Sequence, residues 1–325
     1  MKKLTTMVVA AAAALALGLT GCGGGGSNAA PGSAGGGKLE KTELKVGSLP
    51  LADYAALYWA KDKGFFNKEG LNVEIVAVQG GPVGIQKVAS GELDMTNSTP
   101  FGTSMAANSG LPIKSVVLTS SLADKGLGVF VKPESPIKSM ADLNGKSLGI
   151  NTTRNMGDIT FNNLAKSKGL DVKPNWVEVP FPEMIKGVQA GSIEAGYLPE
   201  PFASAARNAG LRQIADLTEG PNKGLAGSDY VASDKFVKSN PNTAAAFARA
   251  MYAAGADLNA NEAAEREWLP GVAKLDPKVA QNMPLPKYYD SFKMADYVKA
   301  VDILKQQGLV KPDYKPEDRV FQPGK

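Results

Sequence analysis

Val88-Ala89-Ser90-Gly91-Glu92-Leu93-Asp94 returns one hundred residues later as Val188-Gln189-Ala190-Gly191-Ser192-Ile193-Glu194, without a gap. Each copy reads as a helix end, a glycine stop and the opening of a strand. The match widens on both sides. Gly70-Leu71-Asn72-Val73 is answered by Gly169-Leu170-Asp171-Val172, and Pro100-Phe101 by Pro201-Phe202. Any two βαβ units share a loose likeness, but ordered matches at near-constant spacing read as the duplication of a whole lobe.

Around these anchors, short β-branched runs alternate with helical stretches, the pattern of an α/β fold. In the first half, strands are expected at Leu44–Leu49, Leu71–Val78, Leu93–Met95 and Ile113–Thr119. Helices are expected at Asp53–Lys63, Val83–Ser90 and Phe101–Ser109, with Asp53 as the cap of the first. Lys146–Asn151 and Asp158–Lys168 begin the second half in the same order. Gly126–Val131 and Gly224–Ala232 read as extended segments that cross between lobes as a two-strand hinge. The expected architecture is two lobes, each a mostly parallel sheet with flanking helices. Lobe 1 takes residues 43–127 plus 229–325, and lobe 2 takes 128–228. From Thr243 to Gly308 the chain reads as mainly helical, broken at Pro284 and Pro286.

The amino terminus reads differently. Lys2 and Lys3 precede an apolar run from Met7 to Leu19, followed by Leu19-Thr20-Gly21-Cys22. A basic start, a short apolar stretch and small residues make a secretory signal, and the stretch is too short to span a bilayer. Leu-Thr-Gly-Cys resembles the bacterial lipobox, in which the cysteine is acylated and becomes the mature terminus. Residues 1–22 are therefore expected as a lipoprotein signal peptide, with Cys22 the lipid attachment point; a plain signal peptide is the alternative. Residues 23–42, rich in Gly, Ser and Ala, read as a flexible tether. Such a protein sits at the outer face of the cytoplasmic membrane, anchored rather than spanning.

Composition narrows the chemistry. The 325 residues include no His and a single Cys. That excludes Ser-His-Asp and Cys-His nucleophiles, His-ligated zinc and a CxxC pair. The net charge of +4, reduced to +2 once Lys2 and Lys3 are removed, gives no reason to expect a nucleic-acid partner. No catalytic residue, metal site or cofactor is expected, and the chain is expected to act as a monomer. What remains is a binding protein or a carboxylate enzyme.

Ligand-ready loops in such lobes lie at the carboxyl ends of the strands. In the first lobe the candidates are Asp53 and Tyr54, then Gln79-Gly80-Gly81, Asn97-Ser98-Thr99 and Ser120. Asn97-Ser98-Thr99 precedes a helix and reads either as an ordinary cap or as an oxyanion cradle. The glycines either make a tight turn or admit close backbone approach. In the second lobe Asn151-Thr152-Thr153-Arg154-Asn155 follows a strand and opens a helix. Arg154 can fork a carboxylate or sulfonate, or pair with Asp158. Glu200 can accept a ligand N–H or cap the helix after it. Tyr54, Tyr58, Phe101, Phe181, Phe202 and Tyr230 are candidate aromatic walls, Tyr54 the best placed to stack.

Phe65-Phe66, Gly70-Leu71-Asn72-Val73, Gly91-Glu92-Leu93-Asp94 and Glu200-Pro201-Phe202 stand in order behind the lipobox. Together they resemble the solute-binding proteins of bacterial ABC importers, of the nitrate/sulfonate/taurine and thiamin-pyrimidine (NMT1/THI5-like) type. The resemblance implies a type II periplasmic-binding-protein fold that closes on a small-molecule ligand. It also implies permease subunits with a separate cytoplasmic ATPase as partners, since no Gly-x-x-x-x-Gly-Lys-Ser/Thr loop occurs here. A sulfonate, carboxylate or other anion is the expected ligand on the strength of Arg154; a pyrimidine or other heteroaromatic fits Glu200 and Tyr54. Enzymes of the same fold that build the thiamin pyrimidine depend on His, which this chain lacks. A surface sensor lipoprotein is the remaining alternative.

Overall fold

The computed structural model describes residues 37–323. The expected signal peptide, Cys22 and most of the expected tether lie outside them. Lys38–Thr42, expected as tether, are instead fastened to the body. The Glu40 carboxylate accepts the backbone N–H groups of Asn242 and Thr243 (3.3 and 3.0 Å), and Lys41 Nζ donates to Asp94 at 2.6 Å.

In chain order the elements are β1 (Glu43–Ser48), α1 (Ala55–Asp62), α2 (Phe65–Lys68), β2 (Asn72–Ala77), α3 (Gly81–Ser90), β3 (Met95–Ser98), α4 (Pro100–Asn108), β4 (Ile113–Ser121), β5 (Leu127–Val131) and β6 (Ser147–Ile150). There follow α5 (Met156–Ser167), β7 (Asn175–Glu178), α6 (Phe181–Ala190), β8 (Ala195–Pro199), α7 (Phe202–Asn208), β9 (Arg212–Asp216) and β10 (Ala226–Ser233). The tail is α8 (Asp234–Ser239), α9 (Pro241–Ala260), α10 (Glu262–Ala273), α11 (Pro277–Asn282), β11 (Lys287–Tyr288) and α12 (Met294–Gln306).

Two mixed sheets result. One has the order β11-β4-β10-β3-β1-β2 and the other β7-β6-β8-β5-β9. β1 is parallel to β2 and β3, as β6 is to β7 and β8. Against the parallel strands run β10 and β11 in the first sheet and β5 in the second; β10 and β5 are each contributed by chain that has just crossed from the other lobe. The two crossings run side by side, Leu122 N–H donating to Leu225 O at 2.8 Å. Leu127 thus belongs to the second sheet and Ala226–Ser228 to the first, the reverse of the boundaries read from the sequence.

The repeated motif has one structural meaning in both lobes. Gly91 and Gly191 end α3 and α6 in the left-handed conformation, φ +81° and +80°, which a side chain disfavours. The next residue closes the turn, Glu92 N–H to Lys87 O (2.9 Å) and Ser192 N–H to Gly187 O (3.0 Å). Val88 and Leu93, like Val188 and Ile193, turn into the core. The closing acid ties back to the first parallel strand of its lobe, β1 or β6: Asp94 accepts from Lys45 N–H (2.9 Å), Glu194 from Ser147 N–H (2.8 Å).

The tail helices belong to the first lobe. Phe247 of α9 stacks on Phe66 of α2, ring centres 5.3 Å apart. From the end of α12, Gln307 Nε2 reaches across to Ile159 O of α5 at 3.1 Å, so the tail bridges the lobes.

Candidate functional site

The carboxyl ends of β1, β3, β6 and β8 face one another across the lobes, as parallel sheets require of a ligand cleft. They enclose a small cavity of about 40 Å³. Of the residues expected from the sequence, Asp53, Tyr54, Gly81, Asn97, Thr99 and Asn155 line it. The lobes are drawn together directly: Thr99 Oγ1 donates to Asn155 Oδ1 at 2.7 Å, cap residue of α4 to cap residue of α5. Thr99 Oγ1 also accepts the N–H of Gly102, so one hydroxyl caps its own helix and ties the lobes.

Asp53 is not the helix cap its position suggested. The chain enters α1 through a short 3-10 turn, Ala52–Tyr54, capped by Leu51 without a side-chain bond. The Asp53 carboxylate instead turns to the cleft, where its hydrogen-bond donor is Ser120 Oγ at 3.3 Å. Its backbone carbonyl is held by Ser228 Oγ (2.9 Å) and Ser120 Oγ (3.2 Å). Removal from water pushes the carboxyl up to about 7, with the Ser120 bond working against that and the nearby Glu200 charge adding to it. Asp53 is the one charged residue among those lining the cavity.

Asn97, fully buried on β3, has neither side-chain polar atom hydrogen-bonded within the protein. Tyr54 beside it is fixed, its hydroxyl donating to Ser98 O at 2.9 Å, and it packs edge-on against Tyr230. Gly80 and Gly81 bring α3 close to the second lobe. A β-carbon on Gly80 would stand 2.9 Å from Thr152 Cγ2.

The other expected residues fall elsewhere. Gln79 is exposed. Ser98 contributes its carbonyl to Tyr54, and Ser120 supports Asp53 from behind. Thr152, Thr153 and Arg154 line a separate groove of about 490 Å³ with Pro82, Val83 and Met105. Arg154 has a left-handed backbone (φ +54°), and its guanidinium extends to Met105 Sδ at 4.0 Å. Its backbone N–H, not its side chain, binds Asp158, at 2.6 Å.

Glu200 takes the capping alternative. It accepts from Ser204 N–H (3.1 Å) and Oγ (3.0 Å) and pairs with Arg207 Nη1 at 2.9 Å. Burial raises its carboxyl and Arg207 opposes that rise. Tyr230 is core, its hydroxyl 2.7 Å from Ser48 Oγ. Phe202 stacks behind Phe181, which faces the cavity in its place.

Asn151, the first residue of the second-lobe stretch, also lines the cavity, as do Met156 and Tyr197, which were not singled out as sites. Tyr197 had a signal. Val46 pairs with Met95 and Leu148 with Ala195, so Met95 and Ala195 are equivalent, and two residues on Asn97 corresponds to Tyr197. Among the described residues no cluster of three or more His, Cys, Asp or Glu is placed to hold a metal. No described helix is long and apolar enough to cross a membrane.

Comparisons with known proteins agree with this architecture. The chain matches the family model described as "NMT1/THI5 like" over residues 52–264. It is 26% identical to the nitrate/nitrite binding protein NrtA of Nostoc over 76% of this chain and 63% of that protein. It is 27% identical to the nitrate import ATP-binding protein NrtC of Synechocystis over 56% of this chain, spanning only 30% of that protein. A 4-amino-5-hydroxymethyl-2-methylpyrimidine phosphate synthase of Aspergillus parasiticus is 24% identical over 81% of each chain. Among solved structures, the alkanesulfonate-binding protein SsuA of Xanthomonas axonopodis pv. citri superimposes with a TM-score of 0.72 at 18% identity, covering 87% of this chain and 99% of that one. The fold is the type II periplasmic-binding-protein fold.

Proposed function

The chain belongs to the NMT1/THI5-like family, and on that premise we propose that it is the solute-binding subunit of an ABC importer. It captures a small organic solute between its lobes and delivers it to permease subunits driven by a separate ATPase. The lipobox-like sequence supports lipid anchoring through Cys22 at the outer face of the cytoplasmic membrane, with the chain acting as a monomer. The carrying observation is the cleft itself. Strand ends of both lobes converge on it, and Asn97 is buried there with its amide unengaged. A buried amide without partners is costly unless something in the cleft bonds it.

Capture proceeds by closure about the two crossings, the ligand favouring the closed state because only there do both lobes touch it. The lack of any His supports binding without turnover.

A thermal-shift screen of small organic solutes on the full-length protein tests the proposal. A true ligand at a hundredfold over its Kd adds about 2.7 kcal/mol to stability. The shift should disappear in Gly80→Val, whose side chain meets Thr152 when the lobes close. A broad screen without a shift, or consumption of the solute, would overturn it.

A further inference from the structure

Charge in this cleft lies on one side only. Asp53 is the single charged residue lining the cavity, and no Lys or Arg lines it. Arg154, the cation expected to hold an anion, lines the separate groove against Met105. Glu200, the nearest other acid, is already bonded to Arg207 and Ser204. Beside Asp53 stands Asn97, fully buried, with both its carbonyl oxygen and its amide nitrogen unpaired. The cleft thus offers a carboxylate acceptor and a free donor–acceptor amide, between walls such as Met156 and Phe181 that supply no charge.

We propose that this cleft selects a neutral or cationic solute that presents N–H donors to Asp53 and an N–H/acceptor edge to Asn97, such as an amidine, amide or amino-heterocycle, and discriminates against oxyanions. The inference rests on the cleft being the binding site. An oxyanion here would meet a like charge once Asp53 ionises, and its hydration would be replaced by one amide. An N–H donor supplies what both groups lack, and its bond to an ionised carboxylate is of the strong, charge-assisted kind.

Recognition by Asp53 also sets the direction of proton exchange. The titratable groups facing Asp53 are Glu200, held by Arg207; Tyr197; Tyr54; and Tyr288, itself bonded to Glu265. With the free carboxyl near 7, an N–H donor stabilises the carboxylate and lowers that value, so binding near pH 6.5 releases a proton. Affinity then rises with pH and levels off above 7. An oxyanion held by protonated Asp53 would do the reverse, taking up a proton and weakening as pH rises.

The test uses matched shapes on the full-length protein. Isothermal titration compares acetamidine with acetate and benzamidine with benzoate at pH 6.5, in two buffers of different ionisation enthalpy. The amidine of at least one pair should bind at least tenfold tighter, with proton release. Asp53→Asn should weaken it by about tenfold to a hundredfold and Asn97→Ala by about three- to tenfold. Should Asp53→Asn not fold, proton release by the unaltered chain decides the same point. Tighter binding of acetate or benzoate, proton uptake, or no binding by either amidine overturns the proposal. Binding of the acids alone would leave the solute-binding reading intact, whereas a failed broad screen removes that reading too.

Discussion

The two lobes share a sheet order, a helix-stop motif and a strand-end cleft, yet they treat buried acid in opposite ways. In lobe 2, Glu200 is 3% exposed and is matched by Arg207. In lobe 1, Asp53 and Asp229 have hydroxyl partners and no cation: Ser120 for the first, Thr103 at 2.9 and 3.1 Å for the second. The lobes also divide the cleft. Lobe 1 supplies Asp53, Asn97 and Thr99, while lobe 2 supplies Met156, Phe181 and Tyr197 beside its two asparagines. Duplication preserved the scaffold and left each copy free to set its own electrostatics. One lobe carries the charge that a ligand would answer; the other closes over it.

The contrast can be broken most severely at Arg207. Truncating it to Ala leaves the Glu200 carboxylate buried without its cation, and loss of about 3 kcal/mol is expected, the low end of the buried-pair range because Arg207 is 32% exposed. Chemical denaturation reads this directly, and Glu200→Gln in the same chain should restore most of the loss. No loss would mean that lobe 2 is not compensated as described.

Asp229 sharpens the other half of the comparison. Burial pushes its carboxyl up to about 7 from an ordinary 3.8, opposed by the bond from the Thr103 hydroxyl. Below about pH 4 both folded and unfolded chains hold this proton. Between 4 and 7 the unfolded chain releases it first, so stability falls as pH rises. Asp229→Asn removes that decline of up to about 4 kcal/mol, and after about 2 kcal/mol lost from the altered buried hydrogen bonds its net advantage over the parent should reach about 2 kcal/mol by pH 8. Melts across pH 4–8 with parallel slopes would sink this account.

The smallest effect falls on the contact between the lobes. Thr99→Val deletes the hydroxyl that bonds Asn155, a loss of about 1 kcal/mol of closure, or roughly fivefold in the open-to-closed ratio. Thr99→Ser should retain closure. Small-angle scattering of the ligand-free protein would show a larger radius of gyration for Val alone; equal radii for all three would remove the tie.

Much of the frame was legible because it rests on local backbone chemistry. Gly91 and Gly191 mark helix stops whatever surrounds them, and Thr99 before Pro100 is a cap by residue type and position. The parallel order followed from alternating strands and helices. The site was harder to read, since it depends on which way a side chain turns after tertiary contacts form. Asp53 looks like a cap because aspartate before a helix is one, but the 3-10 turn displaces it into the cleft. Arg154 looks like an anion fork, but its left-handed backbone sends it to the outer groove. The pairing of Glu200 with Arg207 was open to inspection seven residues along and was outweighed by the interest of a cleft acid. Tyr197 could have been found by carrying the repeat two residues further, from Asp94 and Glu194 to the strand ends.

The exchange of antiparallel strands has a consequence for the order in which the chain acquires its structure. All five strands of the second sheet lie in one uninterrupted stretch, from β5 at Leu127 to β9 at Asp216. The first sheet cannot close until β10, beginning at Ala226, has been delivered. Threaded out from its amino terminus, the polypeptide can therefore finish the later-encoded lobe while the earlier one still waits with β3 and β4 unjoined. The half that is made first is the half that is completed last, and the acid-bearing face of the cleft is assembled onto an aromatic one already in place.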